Sequence, residues 1–272
     1  METKQRIASL TVTPGKRANL SKRDPGDRLD LADREAGAER LAELVAQLSA
    51  LHNRLWAEST RSVLIVLQGL DAAGKDGTIR QVFTGLNPQG CRAVSFKQPS
   101  STELAHDYLW RVHAACPARG EIGIFNRSHY EDVVAVRVRG LAPARVLKHR
   151  PRQINEFEHM LADEGTTVVK VFLHVSRDKQ RERLQERLED PEKSWKFRVE
   201  DLDDRARWND FMAAYEEVIS QTSTSWAPWY VIPADRNWIR NLTVAEVLVH
   251  VLEQLDPQFP PPMPGLETIE IT

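Results

Sequence analysis

The run Gly69-Leu70-Asp71-Ala72-Ala73-Gly74-Lys75 has the spacing G-x-x-x-x-G-K. Glycines at its two ends let the backbone curl until successive N–H groups converge on one anion. A helix opening near Gly77 would add the positive end of its dipole, and Lys75 is placed to reach a terminal or bridging phosphate oxygen. Ala72, Ala73, Gly74, Lys75, Asp76 and Gly77 are therefore expected to cradle phosphate. The bland alternative is a glycine-rich strand-to-helix turn with a solvated lysine. Asp76 stands where a Ser or Thr hydroxyl usually meets Mg²⁺, and a carboxylate there can serve the ion directly or through water. Asp71 adds a second acid inside the loop, so Asp71 and Asp76 are the candidate ligands for Mg²⁺, with Mn²⁺ as a substitute. An Asn-Lys-x-Asp guanine motif and a G-x-G-x-x-G dinucleotide fingerprint are both absent, which excludes the usual GTPase switch and dinucleotide readers.

The loop needs a strand before it and a helix after it. Ser62–Gln68 is a continuous apolar run with β-branched residues, the pattern of a strand buried on both faces. Further strands are expected at Cys91–Phe96, Glu121–Phe125, Thr166–Val175 and Trp229–Ile232. Helices are expected over Asp33–Glu58, Thr102–Ala115, His129–Val138, Arg145–Asp163, Arg177–Glu189, Asp203–Ser220 and Ala245–Leu255. In the first of these Leu41, Leu44, Val45, Leu48, Leu51 and Leu55 share a face. Ser100 or Ser101 and Ser176 can cap the helices they precede. Strands alternating with helices give an α/β fold, an open parallel sheet with helices on both faces. Residues 1–60 comprise a polar N-terminal arm, suited to order against a neighbour, and the first helix. Residues 61–257 form the core, including a candidate lid at about 177–205, and 258–272 form a Pro-rich tail.

Open sheets of this type bind ligands beyond the C-terminal ends of their strands. That edge singles out Lys97, after the second strand, and Arg127, after the third, although either could be a solvated loop cation. A guanidinium at Arg127 could grip phosphate oxygens bidentately and offset charge in a transition state. Helix 177–189 carries Arg183 and Arg187 on one face, aimed at the phosphates if a lid closes. Its other charges read as i,i+4 pairs on a solvated face. His129 reads as structural, and Trp195, Trp208, Trp226 and Trp229 as packing residues.

Composition sets the outer limits. The 272 residues carry a net charge of −2, with 41% hydrophobic and 28% charged residues. This permits a sizeable core and excludes a generally basic nucleic-acid binder. Two cysteines without metal spacing, Cys91 and Cys116, suit a reducing compartment. With no membrane-length apolar run and no apolar leader, a cytoplasmic protein is expected, with no nucleic-acid or membrane partner.

Several ordered segments together resemble the polyphosphate kinase 2 family. The loop Gly69–Gly77 resembles its Walker A segment, and Phe125-Asn126-Arg127-Ser128-His129-Tyr130-Glu131-Asp132-Val133 its Walker B segment. Pro191-Glu192-Lys193-Ser194-Trp195-Lys196-Phe197 resembles its lid. Ala227-Pro228-Trp229-Tyr230-Val231-Ile232-Pro233-Ala234-Asp235 resembles its C-terminal signature. With Phe96-Lys97-Gln98-Pro99-Ser100, the likeness spans roughly residues 60–255. The resemblance implies a P-loop kinase-like three-layer fold with a five-stranded parallel sheet and a helical lid, in a homo-oligomer. It implies phosphoryl transfer between inorganic polyphosphate and nucleotides, with Asp71, Lys75 and Arg127 as catalytic residues and Asn126, Glu131 and Asp132 toward the nucleotide. Many members have Asp in place of Asn126 and Asn in place of Glu131. The version here resembles the class III subgroup, which acts on both AMP and ADP to give ADP and ATP. Without the resemblance, an ATP-dependent kinase of the P-loop class, or a non-catalytic nucleotide-binding regulator, fits the loop equally well.

Overall fold

Every side chain of Ser62–Gln68 is buried, as an apolar run without alternation requires. The computed structural model describes residues 2–31, 33–266, 269 and 271. In chain order the elements begin with α1 (Thr3–Leu10), β1 (Thr11–Val12), α2 (Arg34–Glu58), β2 (Ser62–Gln68), α3 (Lys75–Val82) and β3 (Cys91–Ser95). Next come α4 (Ser101–Leu104), α5 (Trp110–Ala115), β4 (Ile122–Asn126), α6 (Val134–Val138), α7 (Ala144–Leu147) and α8 (Arg150–Asp163). The chain closes with β5 (Thr166–His174), α9 (Arg177–Glu189), α10 (Glu200–Ala206), α11 (Trp208–Thr222), β6 (Trp229–Pro233) and α12 (Asn237–Leu255).

The sheet order is β1-β6-β5-β2-β4-β3. β2 lies at its centre, parallel to β4 and β5, with Val63 opposite Ile122 and Ser62 opposite Thr166. The expected five parallel strands are present, and the sheet gains a sixth. β1 pairs antiparallel with β6 through Thr11 and Val12. Two residues are too few to show any periodicity in a sequence, which is why this edge strand was not expected.

β1 belongs to the arm, and the arm is ordered against its own core rather than awaiting a neighbour. Ile7, Leu10, Val12, Ala18, Leu20 and Leu29 are buried, and Arg6 makes two hydrogen bonds of 2.8 and 2.7 Å to Glu246 of α12. Four expected helices are broken: Asp203–Ser220 at Arg207, between α10 and α11, and three others for a local reason. Asp107 accepts from Leu109 N at 2.9 Å, forming a turn between α4 and α5. Pro151 sits in the first turn of α8 and prevents α7 from running into it. The stretch after Ser128 opens as a 3-10 turn, His129–Asp132, before α6. Ser100 and Glu103 form a reciprocal capping box at α4, and Ser176 caps α9. Of the tail, residues 258–266, 269 and 271 are described; the remainder of that expected segment lies outside the described residues, as do residues 1 and 32.

Beneath the C-terminal half of the sheet lies a buried ionic cluster. Lys170 of β5 donates to Glu158 at 2.5 Å, to Thr222 O at 2.6 Å and to the Tyr130 hydroxyl at 3.1 Å. Tyr130 donates to Glu158 at 2.8 Å, and His129 lies 3.2 Å from the same carboxylate. Burial opposes ionisation of Glu158, but Lys170 and His129 outweigh it and hold the carboxyl below its usual range. The cluster pins the turn after β4 to α8 and β5. Glu158→Gln strands the buried Lys170 charge and is expected to cost about 3–5 kcal/mol, read by urea denaturation; a loss below about 1 kcal/mol would show that the pair does not hold the fold.

Candidate active site

The turn between β2 and α3 takes the shape that phosphate binding needs. Gly69 and Gly74 have φ of 152° and 105°, and Ala72 has 62°. A Cβ at Gly74 would overlap the Arg240 guanidinium, so this glycine is required for space as well as for backbone freedom. Gly74 is the residue before α3, and Thr78 N donates to its carbonyl at 2.9 Å. Lys75 is only 8% exposed. Its ammonium curls back on the loop, donating to Gly69 O at 2.7 Å and Leu70 O at 3.2 Å. Burial first, and then the Arg127 charge, lowers its affinity for the proton, against the pull of Asp71, Glu131 and Asp76.

The end of β4 supplies the opposing wall. Arg127 takes a left-handed φ of 63°, and its amide donates to Leu67 O at 3.1 Å, tying the turn to β2. Its guanidinium pairs with Asp71. Burial opposes ionisation of Asp71, but Arg127, Lys75 and Arg187 hold the carboxyl below its ordinary range. Asn126 donates to Asp76 at 2.8 Å, and Lys196 reaches the other oxygen of Asp76 at 3.5 Å. Glu131 is raised above the usual carboxyl range by burial, with Arg127 and Lys75 pulling the other way. In the orientation that satisfies both ends of its amide, Gln68 donates to Glu131 at 3.0 Å and to Tyr215 at 3.2 Å, and accepts from Ser128 N at 3.0 Å. Asp71, Lys75, Asp76, Asn126, Arg127 and Glu131 thus form one connected cluster.

Asp132 faces elsewhere. It lies 3.5 Å from Arg111 and 4.0 Å from Arg150, and Arg150 also donates to its carbonyl. An open groove of about 800 Å³ adjoins this position, lined by His106, Tyr108, Arg145, His149, Arg150 and Arg152 among others. Lys97 stands exposed beyond β3, and its carbonyl accepts from Arg111 at 2.9 Å.

The two arginines expected on a shared face of α9 have different surroundings. Arg183 is satisfied by five oxygens: Ala72 O, Ala73 O, Ala234 O, Asp235 O and Asn237 Oδ1, at 2.7–3.2 Å. It therefore grips the outside of the cradle and the loop after β6, rather than facing the phosphates. Arg187, one turn along α9, pairs with Asp201 at 3.4 Å and contributes to the charge felt by Asp71. Both arginines were expected to meet phosphate when a lid closes; here Arg187 stands beside Asp201 and Arg183 on the outer carbonyls of the loop. Arg183 is diverted because the reversed backbone of Ala72 and Ala73 presents carbonyls on that side.

Sequence reasoning missed several contributors. Gln180 donates to Asp71 O at 3.0 Å. Arg240, 3% exposed, donates to Asn237 Oδ1 at 2.8 Å and Ala73 O at 3.4 Å. Burial lowers its guanidinium to about 9, with Arg183 adding to the effect. A lone arginine within the apolar helix Asn237–Leu255 was the available signal. His129 is buried and structural, as expected. Trp229 is a packing residue at 0% exposure, while Trp195 at the lid is 76% exposed.

Comparison with known proteins gives a consistent neighbourhood. A sequence profile described as Polyphosphate kinase 2 (PPK2) matches residues 31–260. The AMP/ADP-polyphosphate phosphotransferase of Meiothermus ruber is 54% identical over 261 residues, covering 96% of this chain and 98% of that one. The ADP-polyphosphate phosphotransferase of Rhodopseudomonas palustris is 44% identical, covering 84% and 83%. A crystal structure of polyphosphate kinase 2 from Arthrobacter aurescens superposes with a TM-score of 0.91 at 39% identity, covering 94% of this chain and 92% of the other.

Asp201 gives a pH test of this geometry. Burial first, then repulsion from Asp71, pushes its carboxyl up to about 6 from an ordinary 3.8, against Arg187 and Arg127. The sign follows from linkage: its contribution to stability is complete below pH 3.8 and is lost as the pH rises through about 6. Carbon-detected NMR titration should place the Asp201 midpoint near 6, and Asp201→Asn should remove that step. A midpoint near 4 would contradict the burial of this carboxyl.

Proposed function

The chain belongs to the polyphosphate kinase 2 family, and we propose that this site transfers the terminal phosphoryl group of inorganic polyphosphate to AMP and to ADP, reversibly. The observation that carries this reading is the cluster of buried Lys75 with the half-buried Arg127–Asp71 pair at the end of the central strand. Two cations there can meet the oxygens of a transferred phosphoryl group, and the backbone amides of the Ala72–Gly77 turn can hold the phosphate next to it.

The chemistry asks little else of the protein. A terminal phosphate oxygen of the nucleotide, already an anion, attacks the terminal phosphorus of the chain in line. The new P–O bond forms as the bond to the shortened polyphosphate breaks, and no general base is needed. Arg127 is held against β2 by its own backbone, so its charge is positioned before substrate arrives. Lys75 leaves its carbonyl partners for a phosphate oxygen. Arg187 and Lys196 bring further charge from the lid, while Arg183 keeps the cradle in shape. The open groove beside Asp132 has room for the nucleoside of the acceptor, and Glu131, inside the cluster, distinguishes this version of the turn.

Asp71 and Asp76 fit Mg²⁺, which is commonly held by one or two carboxylates together with substrate phosphates and water. Among the described residues no three His, Cys, Asp or Glu side chains converge as a cage, so phosphate oxygens would complete the ligand set. The bound ion supplies charge neutralisation at the transferred group, and Mn²⁺ could replace it. No described helix is long and apolar enough to cross a membrane. Burial raises the thiols of Cys91 and Cys116 to about 11 and 12, so neither is primed to react. Both remain free, which supports a cytoplasmic setting, and a homo-oligomeric state is part of the same proposal.

The test supplies AMP, long-chain polyphosphate and Mg²⁺ without ATP, and follows all three nucleotides in time. ADP should appear first and ATP after it. ADP alone would restrict the enzyme to monophosphates, and transfer only from ATP to another acceptor would remove the proposal.

A further inference from the structure

In-line transfer places the two reactants on opposite sides of the moving phosphoryl group. The sheet defines those sides here. β4 and β3 flank the cradle on one side, and β5 and β6 flank it on the other. On the first side, past β4, Asp132 stands beside the groove lined by Tyr108 and Arg150. The second is covered by the chain's own N-terminal arm, at the strand ends where an open sheet ordinarily receives a ligand.

Residues 23–27 form a strap across that edge. Arg23 O lies 3.1 Å from His174 Nε2 at the end of β5, and Pro25 O accepts from Asp235 N at 3.1 Å just past β6. Arg236 donates to Gly26 O. A Cβ on Gly26 would stand 3.5 Å from the Arg236 guanidinium and 3.9 Å from Asp235, so the strap lies close on the loop. It is anchored at both ends. The Arg23 side chain donates to Ala18 O at 3.0 Å and Ser9 O at 3.0 Å, and Leu20 and Leu29 are buried. Beneath it, Asp235 accepts from Ser176 N at 2.8 Å at the start of α9, and Arg183 ties Ala234 and Asp235 to the cradle. The strap takes the ground that a base and ribose would need beside β6. The route that remains runs along α9 past Arg187 and Lys196, a strip of cations suited to a thin chain of phosphates.

We propose that residues 23–27, held by Asp235 and Arg236, are a donor filter: they keep a nucleoside off the β6 side of the cradle, so the donor must be unsubstituted polyphosphate. This rests on the functional reading above and adds the element that enforces the choice of donor. The reaction it forbids is balanced and simple. ATP on the donor side would lose its terminal phosphoryl group to AMP, giving two ADP.

The experiment supplies ATP and AMP with Mg²⁺ to wild-type protein freed of polyphosphate by exopolyphosphatase, and measures ADP. The rate should lie at least about a thousandfold below that with polyphosphate and AMP. Pro25→Gly with Arg236→Ala loosens the strap without touching the cradle. It should raise the ATP-to-AMP rate about tenfold and leave the polyphosphate rate within about twofold. If the pair does not fold, Arg236→Ala alone, at an exposed position, is read in the same way. A wild-type ATP-to-AMP rate within about tenfold of the polyphosphate rate would overturn the filter. So would an unchanged donor ratio in a variant whose residues 23–27 exchange amide hydrogens faster. Absence of any transfer from polyphosphate in the wild type would instead remove the reading on which the filter rests.

Discussion

The ion pair between Arg127 and Asp71 is the constraint around which the site is arranged. A loop built to hold a polyanion concentrates positive charge, and without substrate that charge must be balanced locally or the loop would not close. Here the balance comes from within. Asp71 takes Arg127, the Gly69 and Leu70 carbonyls take Lys75, and Asn126 and Lys196 face Asp76. On the proposed function, a phosphate entering the cradle would compete with Asp71 for Arg127 and with two carbonyls for Lys75.

The outside of the loop is held differently. Arg183 and Arg240 meet carbonyl and amide oxygens there rather than carboxylates. Asp235, Glu186 and Glu182 offset part of the Arg183 charge, and the geometry of both arginines fixes the backbone on which Lys75 depends. Because Arg183 comes from α9, that helix is tied to the phosphate loop through the Ala72 and Ala73 carbonyls.

Much of this was legible in the residues. The P-loop, the buried central strand, the strand order's alternation with helices and the caps at Ser100 and Ser176 follow from local pattern, and local pattern is what a sequence displays. Asn126, Arg127 and Glu131 were identifiable through the family resemblance. What could not be read was non-local. Arg183 and Arg187 occupy equivalent positions on a helix face, yet one meets reversed backbone carbonyls and the other an acid brought in from α10. Arg240 and Gln180 look like ordinary helical residues until tertiary packing places them against the loop. The N-terminal arm looked suited to a neighbour because its apolar residues are few and irregularly spaced, and only the strand edge it covers explains them.

Arg127 is held by Asp71 and Lys75 by the Gly69 and Leu70 carbonyls, and we propose that both are released only as phosphate and metal arrive. Calorimetric binding of tripolyphosphate, without nucleotide, tests it most directly, in chelator and in Mg²⁺, for wild type and Asp71→Asn. Binding to the wild type should be weak in chelator and at least about tenfold tighter with Mg²⁺. Asp71→Asn should close most of that gap by freeing Arg127. Equal wild-type affinity with and without metal, or weaker metal-free binding in Asp71→Asn, would contradict it.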